Sequence, residues 1–128
     1  MGDLTDGRAP VTVVIAARDA AAHVRECVAS VIGWAGEVLV VENDSRDDTV
    51  ALARAAGATV FSNPFRTIGA QRNAAIERAA HPWIFVIDAD ERCTPELAAE
   101  IAATVAAPSR DAYRVSRRNF FLRREIRH

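Results

Sequence analysis

Lysine is absent from this chain, so its sixteen full positive charges are all arginine. No function follows from that alone. Glycine is scarce, at six residues, and the turn Ala16-Ala17-Arg18-Asp19-Ala20 after the first apolar run holds none. A Gly-x-Gly-x-x-Gly dinucleotide fingerprint and a Gly-Lys-Ser/Thr phosphate loop are therefore both excluded there. Cysteine is limited to Cys27 and Cys93. They form no Cys-x-x-Cys pair and have no histidine at metal spacing, which argues against zinc. Two isolated cysteines fit a reducing cytosol better than a disulfide framework. No stretch approaches the roughly 18 apolar residues of a membrane span, and residues 1–10 are polar, without the apolar core of a signal peptide. A formal net charge of -1 gives no general affinity for nucleic acid. The expectation is a cytoplasmic protein, soluble or peripheral on the inner face of the membrane.

What is present is an ordinary globular composition, half hydrophobic and about a quarter charged over 128 residues, enough for one domain with a real core. Apolar runs alternate with helical periodicity. Val11 to Ala17 reads as a strand, followed by Val24, Cys27, Val28, Val31 and Ile32 on one helix face. Asp19 is the expected N-cap, with Gly33 and Gly36 at the exit. Glu37 to Glu42 is a second strand. Ser45-Arg46-Asp47-Asp48 fits a capping box for a helix to about Ala56, stopped by Gly57. Thr59 to Ser62 is a third strand, and Gly69 to Ala80 a helix ended by His81-Pro82. Trp83 to Ile87 is a fourth strand. Thr94-Pro95-Glu96 starts a helix buried along Leu97, Ile101 and Val105, and Ala112 to Val115 reads as another strand. This alternation implies βαβ crossovers and a mostly parallel sheet flanked by helices. We divide the chain into a flexible N-terminus (1–10), an α/β domain (11–110) and a basic segment (111–128), with no internal repeat.

The most informative residues follow the Trp83 to Ile87 run. Its unbroken apolar character marks a buried parallel strand, and open α/β sheets bind ligands at the carboxyl ends of such strands. Asp88 and Asp90 stand there. On a continuing strand, alternate residues would lie roughly 6.6 Å apart and face the same side. Such a pair can share a hard divalent cation that bridges to phosphate oxygens. Glu42-Asn43-Asp44 ends the second strand in the same way.

Four segments together resemble the family 2 glycosyltransferases of the GT-A fold: Val11 to Ala17, Val40 to Thr49, Gly69-Ala70-Gln71-Arg72-Asn73-Ala74-Ala75, and Val86 to Arg92. They occur in the family's order and cover nearly the whole chain. The Gly-x-Gln-Arg-Asn and Asp-Ala-Asp-Glu-Arg pair is most similar to the branch that builds lipopolysaccharide cores and related surface glycans. The resemblance implies a Rossmann-like nucleotide-diphospho-sugar transferase fold. It also implies an inverting, metal-dependent transfer of sugar from a nucleoside diphosphate to a hydroxyl of a glycan or lipid-linked acceptor. By residue, it implies Ala16, Ala17 and Arg18 beside the base, Glu42 with Asn43 and Asp44 at the base or ribose, and Gly69 and Arg72 near the nucleotide. Asp88 would meet the ribose or a metal-bound water, and Asp90 would bind Mg2+ or Mn2+.

Two departures from the family pattern matter. Glu42-Asn43-Asp44 replaces Asp-Asp-Gly or Asp-Ser-Gly. Family members also continue into an acceptor half that supplies the general base, and no acid after Asp90 is identified as that base. The expectation is a donor-binding half whose isolated chain can be inactive. The second reading is a non-catalytic nucleotide-sugar-binding module acting with a separate acceptor half. The basic segment holds six arginines (114, 117, 118, 123, 124 and 127). It reads as an acceptor-phosphate contact, an anionic-membrane contact or, the favoured choice, an edge exposed by truncation. Phe120-Phe121-Leu122 would want a covering partner, which suggests a homodimer. Ordinary structural readings stand beside these: Asp88 and Asp90 as turn formers, Asn43-Asp44 as an Asx turn, Ser45 as a cap, and Arg72 as a surface ion pair.

Overall fold

Val13, Val14 and Ile15 are consecutive and all fully buried, as in a strand covered on both faces. The computed structural model describes residues 7–114 and 121–124. Its elements run β1 (Ala9–Ala17), α1 (Val24–Ile32), β2 (Ala35–Glu42), α2 (Thr49–Ala55), β3 (Thr59–Ser62), α3 (Ile68–Ile76), β4 (Trp83–Asp88), α4 (Pro95–Ala106), β5 (Ala112–Arg114) and β6 (Phe121–Arg124). The sheet order is β3-β2-β1-β4-β6-β5. The first four strands are parallel, and β6 joins β4 and β5 antiparallel. The larger core layer joins Val11, Val13, Ile15, Val38, Val40, Phe85 and Ile87 to residues of α1, α2 and α4. The opposite layer packs Val14, Val41 and Ile84 against Ala75 of α3 and Ala79.

Several local expectations are corrected. β1 starts at Ala9, inside the segment read as a flexible N-terminus; residues 1–6 lie outside the described residues, as do 115–120 and 125–128 of the basic segment. Asp19 does not cap α1, whose N-cap is His23 without a side-chain bond. Asp19 instead adopts φ 48° and binds a neighbouring loop. Ser45 does not form a capping box: Asp48 is the N-cap of α2, again without a side-chain bond. Gly36 lies within β2, where a Cβ would stand 2.8 Å from the carbonyl oxygen of Ala9. α3 starts at Ile68, capped by Thr67 Oγ1 accepting from Ala70 N at 3.0 Å, and ends at Ile76, before His81-Pro82. α4 begins as expected, with Thr94 Oγ1 accepting from Leu97 N at 3.1 Å and Pro95 in the first turn. Gly57 ends α2 region's turn at φ 109°, a conformation glycine tolerates at no steric cost.

Candidate functional site

Strand order reverses direction at β1, which has β2 on one side and β4 on the other. The crevice outside the carboxyl ends of strands at such a switch point is where open α/β sheets bind ligands. The registers bring the chemistry-bearing residues into line there: Ala16 lies opposite Asp88, Ala17 opposite Glu42 and Glu42 opposite Ser62.

A cavity of about 220 Å³ opens beside this row, lined by Ala16, Ala17, Arg18, Asn43, Phe65, Ile68 and Gln71. Phe65 and Ile68 are the exposed large hydrophobics of the described residues, at 51% and 48%. The segment is held from β2, because Asn43 Oδ1 accepts from Phe65 N at 3.3 Å. Asn43 is therefore a cross-loop tie rather than an Asx turn. Asp44 has φ 53°, in the left-handed region that aspartate tolerates better than most residues.

The loops after β1 and β2 are bound together. Asp19 N donates to Ser45 Oγ at 3.1 Å, and Asp19 Oδ1 accepts from Arg46 N at 2.7 Å. Ala20 N donates to Thr49 Oγ1 at 2.7 Å, and Ala21 N donates to Asp47 Oδ2 at 3.1 Å. Asp47 also accepts from the Thr49 hydroxyl, the largest of the influences that leave its carboxyl below the usual range. Glu42 serves the same framework. It is buried; Ser45 N donates to its Oε1 at 2.9 Å, and the Ser62 hydroxyl donates to its Oε2. Burial pushes the Glu42 carboxyl up, but the hydrogen bonds from Ser62 and Ser45 together outweigh it and hold the pKa below the usual range. Glu42 and Asp44 are not among the cavity-lining residues.

Asp88 is the last residue of β4, so Asp90 is not its strand neighbour, and the strand-spacing argument for the pair does not apply. Both acids instead belong to a turn, exposed to solvent around buried Ala89. Glu91 N donates to the Asp88 carbonyl at 2.9 Å, and Asp88 N donates to Glu91 Oε1 at 2.9 Å. Glu91 thus closes the turn. Arg92 holds it from behind: its Nη1 donates to the Glu91 carbonyl at 2.9 Å and, at 3.5 Å, to that of Ala89. Its Nη2 pairs with Glu26 Oε1 of α1 at 2.9 Å, and this bond leads the effects that lower the Glu26 carboxyl. Two further ties to α1 come from Cys27 Sγ to the Asp88 carbonyl at 3.5 Å and from Cys93 N to Ser30 Oγ at 3.0 Å.

Across the crevice, Arg72 Nη2 of α3 meets Asp88 Oδ1 at 3.0 Å, while its buried Nε has no hydrogen-bond partner. Among the described residues no group of three or more histidine, cysteine, aspartate or glutamate side chains could hold a metal. The donor set is two exposed carboxylates on one turn. It suits an ion that takes its remaining ligands from phosphate and water, as Mg2+ commonly does, rather than an all-protein cage.

Of the sequence-derived candidates, Ala16, Ala17, Arg18 and Asn43 meet at the cavity, and Arg72 meets Asp88. Gly69 lies in the first turn of α3, exposed; an added methyl there would meet only Thr67 Oγ1, at 3.9 Å. Phe65, Ile68, Gln71 and Arg92 join the site without a role assigned to them from sequence. Gln71 stands inside the Gln-Arg-Asn segment, and the exposed Phe65 and Ile68 flank Arg66 and Thr67.

Comparison with known proteins places these features in context. The family model described as Glycosyl transferase family 2 matches residues 12–127. A protein of Rickettsia felis named as an uncharacterized glycosyltransferase is 35% identical over 103 residues, covering 80% of this chain and 36% of its own. The lipopolysaccharide core biosynthesis glycosyltransferase LpsC of Rhizobium meliloti is 30% identical over 119 residues, 88% of this chain and 44% of that protein. Among solved structures, glucosyl-3-phosphoglycerate synthase from Mycobacterium tuberculosis, in complex with Mn2+, UDP and phosphoglyceric acid, superposes with a TM-score of 0.56. It is 26% identical, over 67% of this chain and 35% of that one. The chain thus spans 36% and 44% of the length of these two curated relatives.

Proposed function

The chain belongs to glycosyl transferase family 2, and from that premise we propose that it forms the donor half of an enzyme transferring sugar from a nucleoside diphosphate to an acceptor hydroxyl. Its fold is that of the GT-A glycosyltransferases. The observation that carries the proposal is the convergence, at the β1/β4 switch point, of a largely apolar cavity with the exposed Asp88-Ala89-Asp90 turn. The base enters the cavity past Ala16, Ala17, Arg18 and Asn43. The diphosphate lies toward the acidic turn, where Asp90 and Asp88 would hold Mg2+ or Mn2+. When bound, the cation supplies Lewis-acid stabilisation of the charge that develops on the departing diphosphate.

The chain's own residues do the positioning. Arg92 and Glu91 fix the turn that presents both carboxylates. Arg72, already paired with Asp88, adds a positive charge at the diphosphate side. Glu42 holds the two strand ends and the loop that carries Asn43. A complex of a structural relative with Mn2+ and UDP supports a donor site for a nucleoside diphosphate and a divalent cation, and the likeness to an enzyme of lipopolysaccharide core biosynthesis supports a role in building cell-envelope glycan, with a glycan or lipid-linked acceptor. The general base belongs to an acceptor half, and the enzyme works in the cytoplasm or on the inner membrane face.

Titrating the chain with UDP and GDP, with and without Mn2+, tests the donor half of this reading. Metal-dependent binding of at least one of them is expected, and binding of neither in either condition would contradict it.

A further inference from the structure

Gln71 is 2% exposed, yet it lines the cavity. Its Oε1 accepts from Asn63 Nδ2 at 2.7 Å. Asn63 Nδ2 also reaches the Pro64 carbonyl, at 3.4 Å, so the amide of Asn63 presents its NH2 end. Turning Gln71 over would bring two NH2 groups together. No hydrogen bond is made to Gln71 Nε2 among the described residues, which leaves an amide donor free at an otherwise largely apolar cavity. Its partner is to be sought in what fills the space.

The walls suit a flat ring. Phe65 and Ile68 supply apolar faces, and an aromatic side chain stacks on a ring while leaving its polar edge free. At about 220 Å³ the cavity is smaller than the roughly 300–1,000 Å³ typical of drug-sized ligands. It fits one ring system rather than a whole sugar nucleotide.

Building on the donor reading above, we propose that Gln71 selects the donor's base by donating from Nε2 to the carbonyl at C4 of uracil or C6 of guanine, so that the site takes either of these over cytosine or adenine. Cytosine and adenine carry an exocyclic amine where uracil and guanine carry the carbonyl. Against Gln71 that amine sets donor against donor, leaving both unpaired in a buried place. A site built to hydrogen-bond one group rejects the analogue that cannot reciprocate far more strongly than an apolar pocket does.

The test is calorimetric titration of the full chain with UDP, CDP, GDP and ADP in Mn2+, for the wild type, Gln71→Glu and Gln71→Met. The wild type is expected to favour UDP over CDP, or GDP over ADP, by about tenfold or more; whichever keto nucleotide binds tighter identifies the base. In Gln71→Glu the carboxylate still accepts from Asn63 but turns an acceptor to the base, and the keto-to-amino ratio falls by about tenfold or more. In Gln71→Met the ratio moves toward one. Each ratio compares two ligands on one protein, so a general loss of folded protein cancels. An unchanged ratio in either variant, or a wild type that favours the amino bases, overturns the assignment to Gln71 and leaves the donor reading standing. A wild type that binds none of the four overturns both.

Discussion

Replacing Glu42 separates its structural work from any contact with a ligand. Its carboxylate accepts from Ser45 N and from the Ser62 hydroxyl, so it ties the end of β2 to β3 and to the following loop. Hydrogen bonds to charged groups contribute about 1.5–3 kcal/mol each. Glu42→Ala leaves a backbone N–H and a hydroxyl without their acceptor, and after allowing for the relief of burying a charge the expected loss is about 3 kcal/mol. Glu42→Gln is different. The amide oxygen can still accept from Ser45 N, while the Ser62 hydroxyl rotates to accept from the amide nitrogen, so about 1 kcal/mol is expected. With a urea m-value of about 1.5 kcal/mol/M, the midpoints fall by about 2 M and about 0.7 M.

The pH dependence supplies the sign. The folded pKa of Glu42 is depressed, so its contribution is complete above the unfolded value, about 4.3, and is lost as pH falls through the folded value. The gap between wild type and Glu42→Gln should therefore be widest near neutrality and close in acid. Equal losses for Ala and Gln, or a gap that widens in acid, would refute the reasoning.

The clamp on the acidic turn and the two thiols give sharper local tests. Arg92→Met removes the donors to the Ala89 and Glu91 carbonyls and the pair with Glu26; Mn2+-dependent affinity for UDP should fall about tenfold with little change in urea midpoint, and Arg92→Lys should restore part of it. An unchanged affinity in Arg92→Met would show that the turn holds its shape unaided. Burial pushes Cys27 up to about 12 and Cys93 up to about 11, so at pH 8 both should resist a thiol reagent until the protein is unfolded in denaturant. Rapid labelling of the native protein would contradict that burial.

Periodicity made the central sheet and the apolar helix faces legible, because burial on both sides leaves strands such as 83–87 with no polar interruption and α1 with one apolar stripe. The starts of α1 and α2 are less legible in the sequence than that of α4. Asp19 and Ser45 have the chemistry of caps, but each side chain is engaged by the other's loop, a long-range choice that local propensity does not contain. Asp88 and Asp90 were identifiable by type and position, yet the turn that replaces the expected strand depends on Glu91 and on Arg92 reaching α1. The cavity was half visible: the residues at the ends of β1 and β2 were named, while Phe65, Ile68 and Gln71 come together only through the packing of α3 against the sheet.

The central claim, that the Asp88-Ala89-Asp90 turn holds a cation shared with a bound nucleoside diphosphate, is tested most directly by counting bound Mn2+. Electron paramagnetic resonance titration of the chain with Mn2+, with and without UDP, should show one tightly held ion only when UDP is present. Asp90→Asn should weaken that ion by about tenfold or more while leaving the urea midpoint in place. Equal Mn2+ binding by the wild type and Asp90→Asn would contradict it.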